Sequence, residues 1–279
     1  MLWLKGKIHP NTDTLLTAND RGVSLGDGLF ETLSVFNGKA FLKAQHIARM
    51  KASADDFGLP FDPSTIERAI NDLAEIDQEP GIIRVTLTRG IGERGLAFPK
   101  DPKPEIFATR SPWTNALAFQ KISLGTTKIR RNPTSPLSSH KTLSYLDNVM
   151  ALNEAKQKEA DDALMLDQDG HVASTSMANL FAISGRELQT PSLSSILPGI
   201  TRNLILEIAP THGLTINEKN LHPRDLFAAD LVFSTNSVRF MTRITMIDGN
   251  HLHSSDNTHY INLQSALKER LFAETGYRM

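Results

Sequence analysis

The apolar residues change period repeatedly along the chain, and that alternation limits the fold more than any other feature of the sequence. Short runs rich in β-branched residues read as strands: Leu2–Ile8, Thr32–Phe36, Ile82–Thr88, Glu105–Thr109, Phe119–Leu124, Asp162–Asp167, Leu180–Ser184 and Asp230–Ser234. Asn37-Gly38, followed by Lys39–Leu42, is a two-residue hairpin signal. Stripes of helical period interrupt these runs. Ala44–Phe57 puts Ile47, Met50, Ala54 and Phe57 on one face and stops at Gly58, and Pro63–Ile76 has its proline near the start. Thr142–Lys158 carries Tyr145, Val149, Leu152 and Ala155 in register, and Thr201–Ala209 and Tyr260–Glu274 complete the helices. Strands outnumber helices in mixed order, which predicts an α+β fold over a doubly wound sheet. Periodicity fades over Ser111–Leu117, so the expected domains are residues 1–112 and 118–279.

A chain of 279 residues can bury a core for two domains without metal or disulfide staples. Its 30 basic and 31 acidic side chains leave a formal charge of -1, with no global pull toward nucleic acid or anionic lipid. The absence of cysteine excludes a disulfide framework, a cysteine zinc site and a cysteine nucleophile. The nine histidines show no ligand spacing, so no metal is expected. No apolar run has the length of a signal peptide or membrane span, and the expectation is a cytoplasmic protein acting on a small molecule.

Four local features can carry chemistry. Lys141, within Ser138–Tyr145, is expected where a polar loop meets a helix. A lysine partly buried there can serve as a nucleophilic amine. Leu197-Pro198-Gly199-Ile200-Thr201-Arg202 brings a glycine to a helix start, where N–H groups and the helix dipole favour a phosphate. Ser234-Thr235-Asn236-Ser237 places small donors at the end of a strand. His46 and Arg49 share a helix face, and Arg49 suits a bidentate phosphate contact. Each of these is also what an ordinary turn or surface helix shows. Gly90-Ile91-Gly92-Glu93-Arg94-Gly95 matches a bare GxGxxG, but Pro99, Pro102 and Pro104 follow where a dinucleotide fold needs a helix.

Taken in order, the motifs are more specific. Arg21 to Thr32 reads Arg-Gly-x-Ser-x-Gly-Asp-Gly-x-Phe-Glu-Thr. His46/Arg49, Lys141 through Val149, Asp167/Gly170/Val172, Ala178–Phe181, Leu197–Arg202 and Thr235–Ser237 follow. This set resembles the class IV aminotransferases, the fold-type IV pyridoxal-phosphate enzymes. The resemblance implies a small N-terminal α+β domain, a larger C-terminal β-barrel-like domain and a homodimer. It implies pyridoxal 5'-phosphate carried on Lys141 as a Schiff base. The phosphate would be held by Arg49, Gly199, Ile200, Thr201 and one or more of Thr235, Asn236 and Ser237. Leu197 would pack on the pyridine ring. Tyr145 would line the site, and Arg94 would meet a substrate carboxylate.

One position departs from the family pattern. Gly170-His171-Val172-Ala173-Ser174 puts Ser174 where the family has a glutamate paired with the pyridine nitrogen. A hydroxyl cannot stabilise a pyridinium as a carboxylate does. Either another acid reaches that nitrogen, or the reaction asks less of it, or activity is reduced. The Lys141–Leu146 spacing resembles the branch of aminodeoxychorismate lyases and D-amino acid transaminases. Arg89–Gly95 resembles the lyases, and Phe98-Pro99 the transaminases. The expected reaction is pyruvate elimination giving p-aminobenzoate for folate synthesis. D-amino acid or branched-chain transamination is the alternative, and a cofactor-binding protein with little catalysis is the reading from another class.

Overall fold

The computed structural model describes residues 1–10, 17–253 and 257–279. The chain divides into two compact units. The first is Met1–Thr114 with His140–Ser144 and Leu271–Arg278, and the second holds Asn115–Ser139 and Tyr145–Arg270.

The first unit is an antiparallel sheet. Its strands are β1 (Leu2–Leu4), β2 (Lys7–His9), β3 (Gly28–Phe36), β4 (Lys39–Ala40), β5 (Gly81–Thr88) and β6 (Glu105–Pro112), in the order β2-β1-β6-β5-β3-β4. The run expected as one strand, Leu2–Ile8, is a hairpin instead. Lys5 and Gly6 take φ of 50° and 77° and fold β2 back on β1. Asn37 and Gly38, at φ 49° and 70°, make the expected turn between β3 and β4. A short helix α1 (Arg21–Leu25) precedes β3, and α2 (Lys43–Asp56) and α3 (Pro63–Ala74) cover one sheet face. Leu29, Leu33 and Val35 of β3 alternate onto that face and join Met50 and Ala54 of α2 and Ile66, Ile70 and Leu73 of α3 in one core. Glu31 shares the parity of those apolar residues and is 1% exposed. No helix follows the Gly90–Gly95 loop.

The second unit is built on β7 (Lys121–Arg131), α4 (Leu146–Gln157), β8 (Asp162–Asp167), β9 (Val172–Thr175), β10 (Asn179–Ser184) and β11 (Glu187–Thr190). It continues through α5 (Ile200–Ile208), β12 (Thr215–Glu218), α6 (Pro223–Ala228), β13 (Leu231–Asn236), β14 (Phe240–Ile247) and β15 (Asn250–His251). The C-terminal helix, α7, spans Thr258–Thr275. Strand pairing runs β10-β13-β14-β7-β8-β9, and β9 pairs back onto β10, closing these strands into a ring. β11 and β12 extend the sheet from β10. Leu164, Leu166, Leu180, Val232 and Ile244 fill the ring. Ala163 and Met165 face the other way, against Ala151 and Ala155 of α4, which explains why every residue of β8 is buried.

Two sequence expectations are corrected here. The helix expected at Thr142 begins at Leu146. Thr142 instead forms an antiparallel bridge with Leu29 of β3, so a sheet partner overrides local helical pattern. The buried stripe of α4 is Asn148, Ala151 and Ala155, and Val149 is 58% exposed. The pattern also missed β9, β11, β12 and β14. No helix among the described residues is long and apolar enough to cross a membrane.

Candidate active site

Lys141 lies in the extended segment of the first unit, not at a helix start. Its carbonyl accepts from the Phe30 amide at 2.9 Å, and the Leu143 amide donates to Gly28 at 2.9 Å. The half-buried ammonium sits 4.2 Å from the centre of the Phe30 ring. The preceding residue fixes the segment from the other side. His140 Nδ1 lies 2.9 Å from Ser53 Oγ of α2, and its ring meets Phe57 edge-on at 4.7 Å.

Arg49 and His46, both on α2, converge on Glu31. Arg49 donates from Nε to Oε1 at 2.8 Å and from Nη2 to Oε2 at 2.6 Å, while His46 Nδ1 lies 2.7 Å from Oε2. Burial alone would raise the Glu31 pKa. The charges of Arg49 and His46 and their hydrogen bonds outweigh it and lower the value from 4.5 to about 2. Burial pushes the His46 imidazole down from its usual value, against the attraction of Glu31. An ionised carboxylate only accepts, so a neutral His46 carries its proton on Nδ1 and donates to Glu31. The guanidinium is thus held in one orientation by an acid that the sequence reading did not single out. An acid between Leu29 and Leu33 on the buried parity of a strand is the signal that was available.

In the second unit, Asn179 organises the glycine loop. Its Nδ2 donates to the Leu197 carbonyl at 2.9 Å. A Cβ on Gly199 would stand only 2.0 Å from its Oδ1, so a side chain there would push the Asn179 amide aside. Gly199 caps α5 without a side-chain hydrogen bond, and Ile200 and buried Thr201 begin the helix. Their N–H groups lack intrahelical acceptors, as at every helix start. Thr235 faces Asn179 directly across β13 and β10, is 2% exposed, and its Oγ1 makes no hydrogen bond among the described residues. A buried orphan hydroxyl, a glycine packed against the Asn179 amide and an uncapped helix start are what a phosphate group would complete. Gly199→Ala is expected to cost about 1–3 kcal/mol through the displaced loop, and to raise the pyridoxal-phosphate Kd at least about tenfold. Fluorescence titration of the apoprotein measures it, and an unchanged Kd would count against the cradle.

The other sequence candidates fall in various surroundings. Asn236 Oδ1 accepts from the amides of Val238 and Arg239 at 3.0 and 2.8 Å, so its side chain shapes the β13–β14 turn. Ser237 is half-buried in that turn. Leu197 and Tyr145 are half-buried, and Arg94 is exposed on the glycine-rich loop. Buried Arg21 clamps this loop through the carbonyls of Gly95, Leu96 and Ala97 at 3.1–3.2 Å. Ser174 pairs with Asn179 across β9 and β10, is 6% exposed, and receives Arg131 Nε at 3.4 Å. Neither Arg131 nor Asn179 was singled out in the sequence.

The Amino-transferase class IV family matches residues 28–247. The chain belongs to that family. A D-alanine aminotransferase of Listeria innocua is 30% identical over 249 residues, covering 87% of this chain and 86% of that one. An aminodeoxychorismate lyase of Bacillus subtilis is 28% identical over 258 residues, covering 89% and 87%. The crystal structure of a branched-chain aminotransferase from Thermoproteus uzoniensis superposes with a TM-score of 0.88 at 26% identity, covering 99% of this chain and 96% of that one. As a class IV family member, the protein is a pyridoxal-phosphate-dependent enzyme. The three relatives carry three different activities, so family membership does not choose the reaction.

Proposed function

We propose that this class IV enzyme is an aminodeoxychorismate lyase, releasing pyruvate from 4-amino-4-deoxychorismate to give p-aminobenzoate. The observation that carries the reading is Ser174, whose hydroxyl meets a guanidinium rather than a carboxylate. When bound, the cofactor supplies an aldehyde that condenses with amines and a ring that withdraws electrons. Lys141 would carry the cofactor covalently. Ile200, Thr201 and Thr235 would donate to its phosphate from a loop held open by Gly199, and Arg49, oriented by Glu31, would supply positive charge. Leu197 would meet the ring, and Arg94 and Tyr145 would contact the substrate.

Once the substrate's amine has replaced it on the cofactor, the freed Lys141 Nζ would take the proton from the carbon bearing the substrate's amino group. That C–H bond breaks, its electron pair forms the last double bond of the aromatic ring, and the C–O bond to the enolpyruvyl group breaks. The lysine returns a proton to the methylene carbon, and pyruvate leaves. Aromatisation drives this sequence: the C–H pair stays in the new ring double bond, and the C–O pair departs with the leaving group. Transamination instead requires the C–H pair to be held and reprotonated elsewhere, which asks more of the pyridine nitrogen.

D-amino acid transamination is the second reading, supported by the Phe98-Pro99 segment that resembles the transaminases and by the D-alanine aminotransferases among the relatives. With aminodeoxychorismate, p-aminobenzoate and pyruvate are expected in equal amounts. Glutamate formation from D-alanine and 2-oxoglutarate, without p-aminobenzoate from the first substrate, would overturn the lyase reading. We also propose a homodimer, since Leu96 and Phe98 on the Arg21-clamped loop are 80% and 63% exposed.

A further inference from the structure

Ser174, Asn179 and Thr235 are cross-strand neighbours on β9, β10 and β13 and so lie on one sheet face. Met241 continues the row on β14 and is fully buried. From the phosphate cradle at Gly199 and Thr235, the polar row therefore runs only toward Ser174. Two strand spacings separate Thr235 from Ser174, about 9–10 Å. That is comparable to the length of a phosphorylated pyridine laid along the row.

Beyond Ser174 stands Arg131, at the end of β7. Its Nε donates to Ser174 Oγ and its Nη1 to Asn148 Oδ1, each at 3.4 Å. Asn148 is fixed in turn, donating from Nδ2 to the Ser176 carbonyl at 2.5 Å. Burial lowers the Arg131 pKa from its usual value, against the attraction of Tyr145 and Asp147, but an arginine stays charged at neutral pH. We propose that Arg131 is a specificity-determining positioning residue: it donates to Ser174, leaves the serine O–H to donate in turn, and so holds the cofactor's ring nitrogen unprotonated.

The direction of the chain of hydrogen bonds carries the inference. A serine hydroxyl has one proton to give and lone pairs to receive. With the lone pairs turned to a cation, the O–H points onward, and only a nitrogen with its own lone pair can accept it. A protonated ring nitrogen would meet both a donor and a like charge. The ring is then a weak store for an electron pair, which disfavours transamination and leaves elimination accessible. Arg131 acts through Ser174 and touches no reacting atom.

The inference rests on the proposed cofactor placement, and the experiment separates the two. The holoenzyme is loaded with pyridoxal phosphate carrying nitrogen-15 in the ring. Borohydride fixation and peptide mass mapping report whether the cofactor is on Lys141, and the nitrogen-15 resonance reports protonation. The expected result is a Lys141 adduct with an unprotonated nitrogen across the neutral pH range. In Ser174→Glu the resonance is expected to move to the protonated position, and in Arg131→Met protonation is expected to appear at higher pH than in the wild type. An adduct with a protonated nitrogen in the wild type overturns the role of Arg131 and leaves the cofactor site standing. No adduct at Lys141 overturns both. If Arg131→Met does not fold, wild type and Ser174→Glu still decide.

Discussion

Lys141→Ala is expected to lower turnover by about 10³-fold or more while leaving the protein folded. The loss follows from removing both the covalent attachment and the amine that moves the substrate proton. The fold should survive because the segment is held by its backbone: Phe30 and Leu143 amides and the Thr142–Leu29 bridge do not involve the lysine side chain. What the side chain gives up is its place over Phe30, about 0.5–1 kcal/mol at a partly exposed site. Arg84 remains on the same ring at 3.7 Å. Steady-state kinetics alongside a thermal melt make the measurement. A residual rate within tenfold of wild type would remove Lys141 from the chemistry, and a collapsed melt would show that it is structural.

Glu31→Gln is expected to do the reverse, acting first on stability. The carboxylate is 2% exposed at its side chain and pairs with Arg49, itself 11% exposed, while accepting from His46. Removing one partner of such a buried pair typically costs about 3–5 kcal/mol. For a chain of this size that lowers Tm on the order of 10 °C. The pH dependence identifies the cause. Glu31 has a folded pKa below its unfolded one, so its contribution is present above about pH 4.5 and is lost as pH falls toward about 2. The amount is about 3 kcal/mol. His46, also lowered, adds a loss of the same sign that begins as pH drops below its unfolded value near 6.5. Wild-type stability should therefore fall with acid in two stages. Glu31→Gln should start lower and lack the second stage. Parallel wild-type and variant curves below pH 4.5 would show that Glu31 is not the titrating group.

Much of the scaffold was legible in the sequence because its signals are local. Asn37-Gly38 makes its turn through backbone preferences alone, and Asp162–Asp167 is a strand over the expected residues. The α+β class follows from the same periods. What was misread depends on partners distant in the chain. Val172–Thr175 is short and half polar, and it is a strand because β8 and β10 flank it. Thr142 continues a helical pattern yet is captured by β3. The candidate site divides the same way. Lys141, Arg49 and Gly199 stand in recognisable motifs. Glu31 and Asn179 also stand in motifs, but their roles, like that of Arg131, come from what they touch, at separations of 18 residues for Arg49–Glu31 and 43 for Arg131–Ser174. No local pattern encodes those pairings.

The make-up of the first unit has a consequence for the order in which a ribosome delivers the chain. Its sheet and two covering helices are complete by Thr114, but the segment carrying Lys141 and the last helical turns, Leu271–Arg278, belong to it as well. Those late residues are firmly tied in: Tyr277 stacks on Phe36 at 4.8 Å, the Thr275 carbonyl accepts from Asn37, and Glu274 accepts from the Leu42 amide. Domains emerging from the ribosome usually finish in sequence order. Here the unit begun first is finished last, and a nascent chain stalled before residue 271 holds its lysine segment but not the last turns of α7. A stop codon near the end of the message would therefore damage the start of the protein.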